Sequence, residues 1–227
     1  MSSVTLYLIR HGAVISVKGK TFIGQVEAPL DERGIEQAWA LRRWLETVTF
    51  SAVWCSDLSR SRRTARIIVG GRPLSVHESA DFREIHLGAW EGYTFQEIES
   101  RFPEEFAARG KDLEHWRPPG GESFDDLSAR VMPALHRILQ TATGNVLLVG
   151  HAGVNRLILC GALGIPTARL LSLGQDYGCL NLVAYGETRA RVELLNFVPS
   201  ATMPFAEDAS DTQRKSEEER CTCPSST

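Results

Sequence analysis

Short, nearly continuous apolar runs alternate with stretches of helical periodicity along this chain. Val4 to Ile9 (VTLYLI), Phe50 to Cys55 (FSAVWC) and Asn145 to Val149 (NVLLV) are runs of the first kind. They read as strands covered on both faces, as in a parallel sheet. Asp31 is placed to cap a helix in which Ile35, Ala38, Leu41 and Leu45 follow near helical spacing. A second helix is predicted from the turn at Ser56 through about Val69, ended by Gly70, Gly71 and Pro73. Leu74 to His77 is a short strand candidate, and a short helix is predicted over 94–101. Ser123 can cap a long helix carrying Phe124, Leu127, Val131, Leu135 and Ile138, with a kink expected at Pro133. An apolar helix follows residue 151 through about Leu163, and strands at about 179–185 and 191–197 close the pattern. The β-α-β-α opening predicts an α/β fold with a mostly parallel central sheet and helices on both faces.

The segments between these elements are uneven. Residues 12–30 read as an irregular loop with Gly19, Gly24 and Pro29, and residues 82–92 as a loop of polar and aromatic groups. Residues 103–122, with Pro103, Pro118, Pro119, Gly120 and Gly121, interrupt the pattern. The expected organisation is one domain over 1–198 with an insertion at about 93–122. A polar tail over 199–227 reads as disordered.

Composition narrows the function classes. With 25 basic and 28 acidic residues, the formal charge of -3 provides no global field for nucleic acid. Any anion site must therefore be local. Cys55, Cys160 and Cys179 sit in apolar runs and read as buried thiols, whereas Cys221 and Cys223 form a C-x-C in the tail. No apolar run reaches the roughly 18 residues of a membrane span. The start of the chain lacks a signal-peptide layout, so a cytoplasmic location is expected. No metal-ligand spacing appears, and neither a metal nor another cofactor is expected.

Two strands end in the same way. The first runs into Arg10-His11-Gly12 and another into Gly150-His151-Ala152-Gly153. In open α/β sheets, ligands bind beyond the carboxyl ends of the strands. If both strands are central and parallel, the two imidazoles reach one rim of the sheet. Arg60, Arg62 and Arg63 crowd the start of a helix, and guanidinium groups match phosphate oxygens bidentately.

These residues resemble the histidine phosphatase superfamily, also called phosphoglycerate mutase-like. The resemblance covers roughly residues 4–197. It rests on L-I-R-H-G at 8–12, P-L-D-E-R-G-I-E-Q-A at 29–38 and S-D-L-S-R-S-R-R-T-A at 56–65. It continues with F-R-E-I-H-L-G-A-W-E-G at 82–92, P-P-G-G-E-S at 118–123 and V-G-H-A-G-V at 149–154. The resemblance implies a three-layer α/β/α fold and a phosphohistidine mechanism without metal. His11 would be the nucleophile, with its other ring nitrogen donating to a backbone carbonyl near Gly12. Arg10, Arg60 and His151 would surround the phosphoryl oxygens. Glu84 would protonate the leaving oxygen and then activate water. Gly24, Gln25 and Ala152 are softer substrate-binding candidates, Gly24 and Gln25 through backbone N–H groups. Glu91 would be supporting, and Arg62 and Arg63 would face solvent or pair with carboxylates. Trp90, Tyr93 and Trp116 would either floor an aromatic pocket or pack.

Mutases of this family usually read R-H-G-E with a following W-N, whereas here Ala13 follows Gly12 and the Trp-Asn pair is absent. Both departures favour hydrolysis of a small phosphorylated metabolite. F-I-G-Q at 22–25, G-A-W-E-G at 88–92 and P-P-G-G-E-S resemble the α-ribazole phosphatase branch of cobalamin synthesis. A broad sugar or small-metabolite phosphatase shares most of these signals and is the alternative, ahead of a mutase. A silent phospho-ligand binding module is disfavoured, because His11, Arg60, Glu84 and His151 are all present. Dimers are common among similar proteins, so a homodimer is compatible with the resemblance.

Overall fold

The computed structural model describes residues 3–15, 21–186 and 189–200. The C-x-C pair and nearly all of the tail lie outside the described residues. Six strands form one sheet: β1 (Val4–Arg10), β2 (Phe50–Ser56), β3 (Val76–Ser79), β4 (Gly144–Gly150), β5 (Leu180–Tyr185) and β6 (Ala190–Phe197). Their order is β3-β2-β4-β1-β5-β6. The pairs β3–β2, β2–β4 and β4–β1 are parallel, and β5 is antiparallel to both of its neighbours.

Strands β1 and β4 lie at the centre, which is why their sequences are apolar almost throughout. Val4, Leu6 and Leu8, with Val146 and Leu148, point to one face. There they pack beneath α5 (Phe124–Thr141) and α6 (Ala152–Leu163). Ile9, Leu147 and Val149 point to the other face, beneath α1 (Glu32–Trp44) and α2 (Ser59–Val69). Two hydrophobic layers therefore sandwich one sheet, the expected α/β/α arrangement. Each fully buried Leu or Ile contributes about 1.5–3 kcal/mol.

The helix starts follow their caps. Asp31 accepts the Gly34 N–H at 2.7 Å. Ser123 accepts the Asp126 N–H while Asp126 accepts the Ser123 N–H, a reciprocal pair that opens α5. Pro133 lies inside α5, which continues as a helix to Thr141.

Three local expectations shift. The short strand lies at 76–79 rather than 74–77. It is a sheet edge whose residues are all at least partly exposed, so its apolar signal is weak. Part of the stretch read as broken pattern is helical: α3 (Phe95–Arg101) is followed by α4 (Pro103–Lys111). Pro103 stands at the first turn of α4, where its missing N–H costs nothing, and α4 has no fully buried residue to produce a periodic stripe. A single 3-10 turn at Ala80–Phe82 leads into the polar loop at 82–92, and a second lies within it at Gly88–Trp90. Trp90 is 1% exposed and packs between Phe22 and Trp116, so its role is packing.

Candidate active site

The parallel register pairs Arg10 with Gly150. The next residue on each strand is a histidine, so adjacent strands deliver His11 and His151 to the same rim. The His11 N–H donates to the Gly150 carbonyl at 3.1 Å, which locks the two strand ends together. The ring centroids of His11 and His151 are 5.0 Å apart.

His11 is buried, and its Nδ1 lies 2.8 Å from the Gly12 carbonyl oxygen. A carbonyl only accepts, so Nδ1 carries the proton and Nε2 keeps its lone pair. Burial holds the His11 pKa well below the ordinary value, and the Arg10 and Arg60 charges lower it further. The backbone beneath is crowded. Gly12 donates to Thr64 Oγ1 at 3.2 Å, and a methyl on Gly12 would run into the Gly34 carbonyl. Only a glycine permits this crossing of the loop over α1.

Four buried polar atoms in this cluster have no partner among the described residues: both ring nitrogens of His151 and the Nε atoms of Arg10 and Arg60. Each unpaired buried group costs about 1–3 kcal/mol. The rest of each guanidinium is fixed. Arg60 Nη1 and Nη2 donate to the carbonyls of Val26 and Gly24 at 2.8 and 2.6 Å. Arg10 Nη1 donates to the Gln175 carbonyl, and its guanidinium carbon sits 3.7 Å over the Tyr177 ring. Burial lowers the His151 pKa first, and His11, Arg60 and Arg10 follow. Neutral imidazoles and pinned guanidiniums with free donors form a set that an oxyanion would satisfy.

Glu84 approaches from the other strand end. The Gly153 N–H, in the first turn of α6, lies 3.1 Å from both of its carboxylate oxygens, and the Ile85 N–H lies 3.0 Å from Oε1. Arg83 does not compete for it, because Arg83 is bidentate with Asp57 at 2.6 and 2.7 Å. Ala152 is the first residue of α6, between His151 and Gly153.

Gly24 takes a positive φ of 54°, and its carbonyl is one of the two held by Arg60. The expectation of free backbone donors is corrected at Gln25. Its N–H is taken by Glu91 Oε1 at 2.8 Å, and its side chain donates to the Glu84 carbonyl at 3.1 Å. Gln25 and Glu91 therefore tie the 24–25 turn to the Glu84 loop. Arg62 pairs with Glu78 at 3.6 Å, and Arg63 is exposed.

Sequence reasoning missed the groups that hold these side chains. Arg130, on α5, donates to the carbonyls of Asp81, Arg83 and Glu84 at 2.8, 2.8 and 2.9 Å, and forms two bonds to Glu122. Glu122 Oε2 in turn accepts the His86 N–H at 2.9 Å. Gln37 bridges the Ala13 N–H and the Tyr177 carbonyl at 2.8 Å each. Long sequence separations hid these links; the only local signal was the P-P-G-G-E-S phrase that contains Glu122. Away from this cluster, Glu114, His115 and Asp125 bring ligand-type atoms within 4.8 Å of one another at the surface. Asp112 already binds the His115 ring at 2.9 Å.

With this geometry in place, the class is defined: the chain belongs to the histidine phosphatase superfamily (branch 1), whose model matches residues 6–198. Among curated relatives, it is 32% identical over 192 residues to an adenosylcobalamin/α-ribazole phosphatase of Escherichia coli, covering 84% of this chain and 95% of that one. It is 33% identical over 196 residues to a glucosyl-3-phosphoglycerate phosphatase of Mycolicibacterium vanbaalenii, covering 82% and 85%. Among solved structures, the α-ribazole phosphatase from Shigella flexneri superposes with a TM-score of 0.80 at 31% identity, covering 88% of this chain and 100% of that one. No helix among the described residues is long and apolar enough to cross a membrane.

Proposed function

We propose that this chain is a metal-independent phosphomonoesterase working through a phosphohistidine on His11. Arg10, Arg60 and His151 hold the phosphoryl oxygens. Nε2 of His11 attacks phosphorus, the N–P bond forms, and the ester P–O bond breaks. Glu84 delivers its proton to the departing alkoxide. Water then attacks phosphorus, its proton passes to Glu84, and the N–P bond breaks to release inorganic phosphate. Phosphoryl transfer is mostly positioning and charge stabilisation, which is what such a donor ring supplies. Gly24, Gln25 and Ala152 border the substrate, Gln25 by its side chain rather than its N–H.

The observation that carries this reading is the pinned Nδ1 of His11, which leaves Nε2 unprotonated on a ring 5.0 Å from that of His151, in a cluster where His151, Arg10 and Arg60 keep polar atoms without a partner among the described residues. The test is a phosphoenzyme trap. Brief mixing with a labelled phosphoester should leave acid-labile, base-stable phosphate on the protein. Label retained on the His11→Ala variant would defeat the mechanism.

For the substrate, α-ribazole 5′-phosphate is the reading supported by the relatives at 31–32% identity that nearly match this chain's domain in length. A cytoplasmic enzyme of cobalamin synthesis follows from it. A second reading, a broad sugar or small-metabolite phosphatase, is favoured by the 33% identity to a glucosyl-3-phosphoglycerate phosphatase. A phosphate-release screen over α-ribazole 5′-phosphate, sugar phosphates and 3-phosphoglycerate separates them.

A further inference from the structure

We infer that Tyr177, in the turn before β5, is a positioning residue of this site, whose ring fixes the Arg10 guanidinium and leaves its Nε–H free for an oxyanion. The inference rests on the proposed phosphatase reading for its chemistry and on geometry for the contact itself. The two arginines of the cluster are anchored differently. Arg60 gives both terminal nitrogens to carbonyls, those of Val26 and Gly24. Arg10 has one such anchor, Nη1 on the Gln175 carbonyl. In place of a second, its guanidinium carbon sits 3.7 Å from the centre of the Tyr177 ring. The Arg10 Nε atom is buried and has no partner among the described residues. A ring face attracts a cation, more strongly where water is displaced, and uses up none of its N–H groups. Tyr177 therefore holds Arg10 without spending the donor that an oxyanion needs.

The ring is itself held. The Gln37 side chain donates to the Tyr177 carbonyl and accepts the Ala13 N–H, each at 2.8 Å. The Gly178 N–H donates to the His11 carbonyl at 3.1 Å. Gly178 has a φ of 69°, and a methyl there would meet the Gln37 side chain, so the turn closes this way only with a glycine. The buried Gln175 amide donates to Asn181 Oδ1 at 2.8 Å, and Asn181 donates to the Leu8 carbonyl at 3.0 Å. On β6, Asn196 accepts the Asp176 N–H at 2.7 Å and donates to the Asp176 carboxylate at 2.9 Å. The turn is thus tied to β1, to the segment after His11 and to β6. The same ring lies 5.5 Å, centroid to centroid, from His11. Fixed donors stabilise developing charge best when they need not reorganise. A ring carried on a braced turn gives Arg10 that rigidity.

Orthovanadate is the probe, because it takes up a pentacoordinate geometry like that of a transferring phosphoryl group. Its Kd is measured by calorimetry on the full chain, on Tyr177→Phe, Tyr177→Leu and Arg10→Met, and on the Arg10→Met/Tyr177→Leu double variant. The same cycle is read in kcat/KM for an alkyl phosphomonoester, which stays measurable where vanadate binds weakly. Tyr177→Phe should behave as the native protein does. Tyr177→Leu should bind vanadate about three- to tenfold more weakly and lower kcat more than it changes KM. In the Arg10→Met background the Tyr177→Leu change should have no further effect, because the cation it positions is gone. No loss in Tyr177→Leu, an equal loss in both backgrounds, or a loss in Tyr177→Phe as large as in Tyr177→Leu overturns the inference. Melting temperatures are taken for every variant, and Tyr177→Met replaces Tyr177→Leu if the latter does not fold. Absent ester hydrolysis with an Arg10-dependent vanadate effect would count against the phosphatase reading alone. Hydrolysis with additive effects would count against the inference alone, and a native protein that binds no vanadate defeats both.

Discussion

His11 and His151 face each other with planes inclined at 63°, one residue beyond a parallel pairing that ends at Arg10 and Gly150. Neither strand alone makes a site; the register does. His151→Ala removes a donor from the oxyanion ring while leaving the His11 nitrogen free to attack. It should lower kcat by about 10²–10³ yet still permit slow phosphoenzyme formation, measured by rapid-quench labelling. Full loss of labelling in a folded variant would mean that His151 does more than hold oxygens.

The same two histidines set a pH dependence of stability. Both pKa values are lowered by folding, burial being the largest cause. Between the ordinary value near 6.5 and the lowered folded values, the unfolded chain binds more protons than the native one. Stability should therefore rise with pH through that window and fall as the pH drops below about 6.5. Urea midpoints across this range should show the slope, and a His11→Asn/His151→Asn double variant should flatten it. An unchanged slope would place the titrating groups elsewhere.

Glu84 is predicted to matter in proportion to the leaving group. Glu84→Gln should slow alkyl esters by about 10²–10⁴ and activated aryl esters far less, read from kcat over a series of leaving-group pKa values. Equal slowing of both would remove Glu84 as the proton donor.

Arg130 supports the site through the 81–84 backbone and Glu122. Arg130→Met should cost about 2 kcal/mol of stability, as charged hydrogen bonds are lost. It should also steepen the leaving-group dependence as a milder version of Glu84→Gln. A variant that lowers the melting temperature without changing that dependence would make Arg130 purely structural.

Gly12→Ala forces a methyl against the Gly34 carbonyl, a backbone atom with nowhere to retreat. Overpacking of this kind costs about 1–3 kcal/mol. For a chain of this size the melting temperature should fall roughly 2–4 °C per kcal/mol, and turnover should fall with it because His11 Nδ1 loses its carbonyl. Calorimetry and a turnover assay check both, and excess chelator should leave the native rate unchanged.

The sequence by itself determined the layered fold and the residues at the two central strand ends. Strands covered on both faces must be apolar throughout, so VTLYLI and NVLLV, each running into a His, were visible without coordinates. Edge strand β3 and helix α4 were less legible, because elements without a buried stripe leave little periodicity. Only the tertiary structure decided that Gln25 spends its N–H on Glu91 and that Arg130 carries the Glu84 loop. Those facts depend on which donors and acceptors meet across dozens of intervening residues. Hydrophobic period is a local property of the chain, whereas hydrogen-bond partnership and desolvation exist only once the chain has closed on itself.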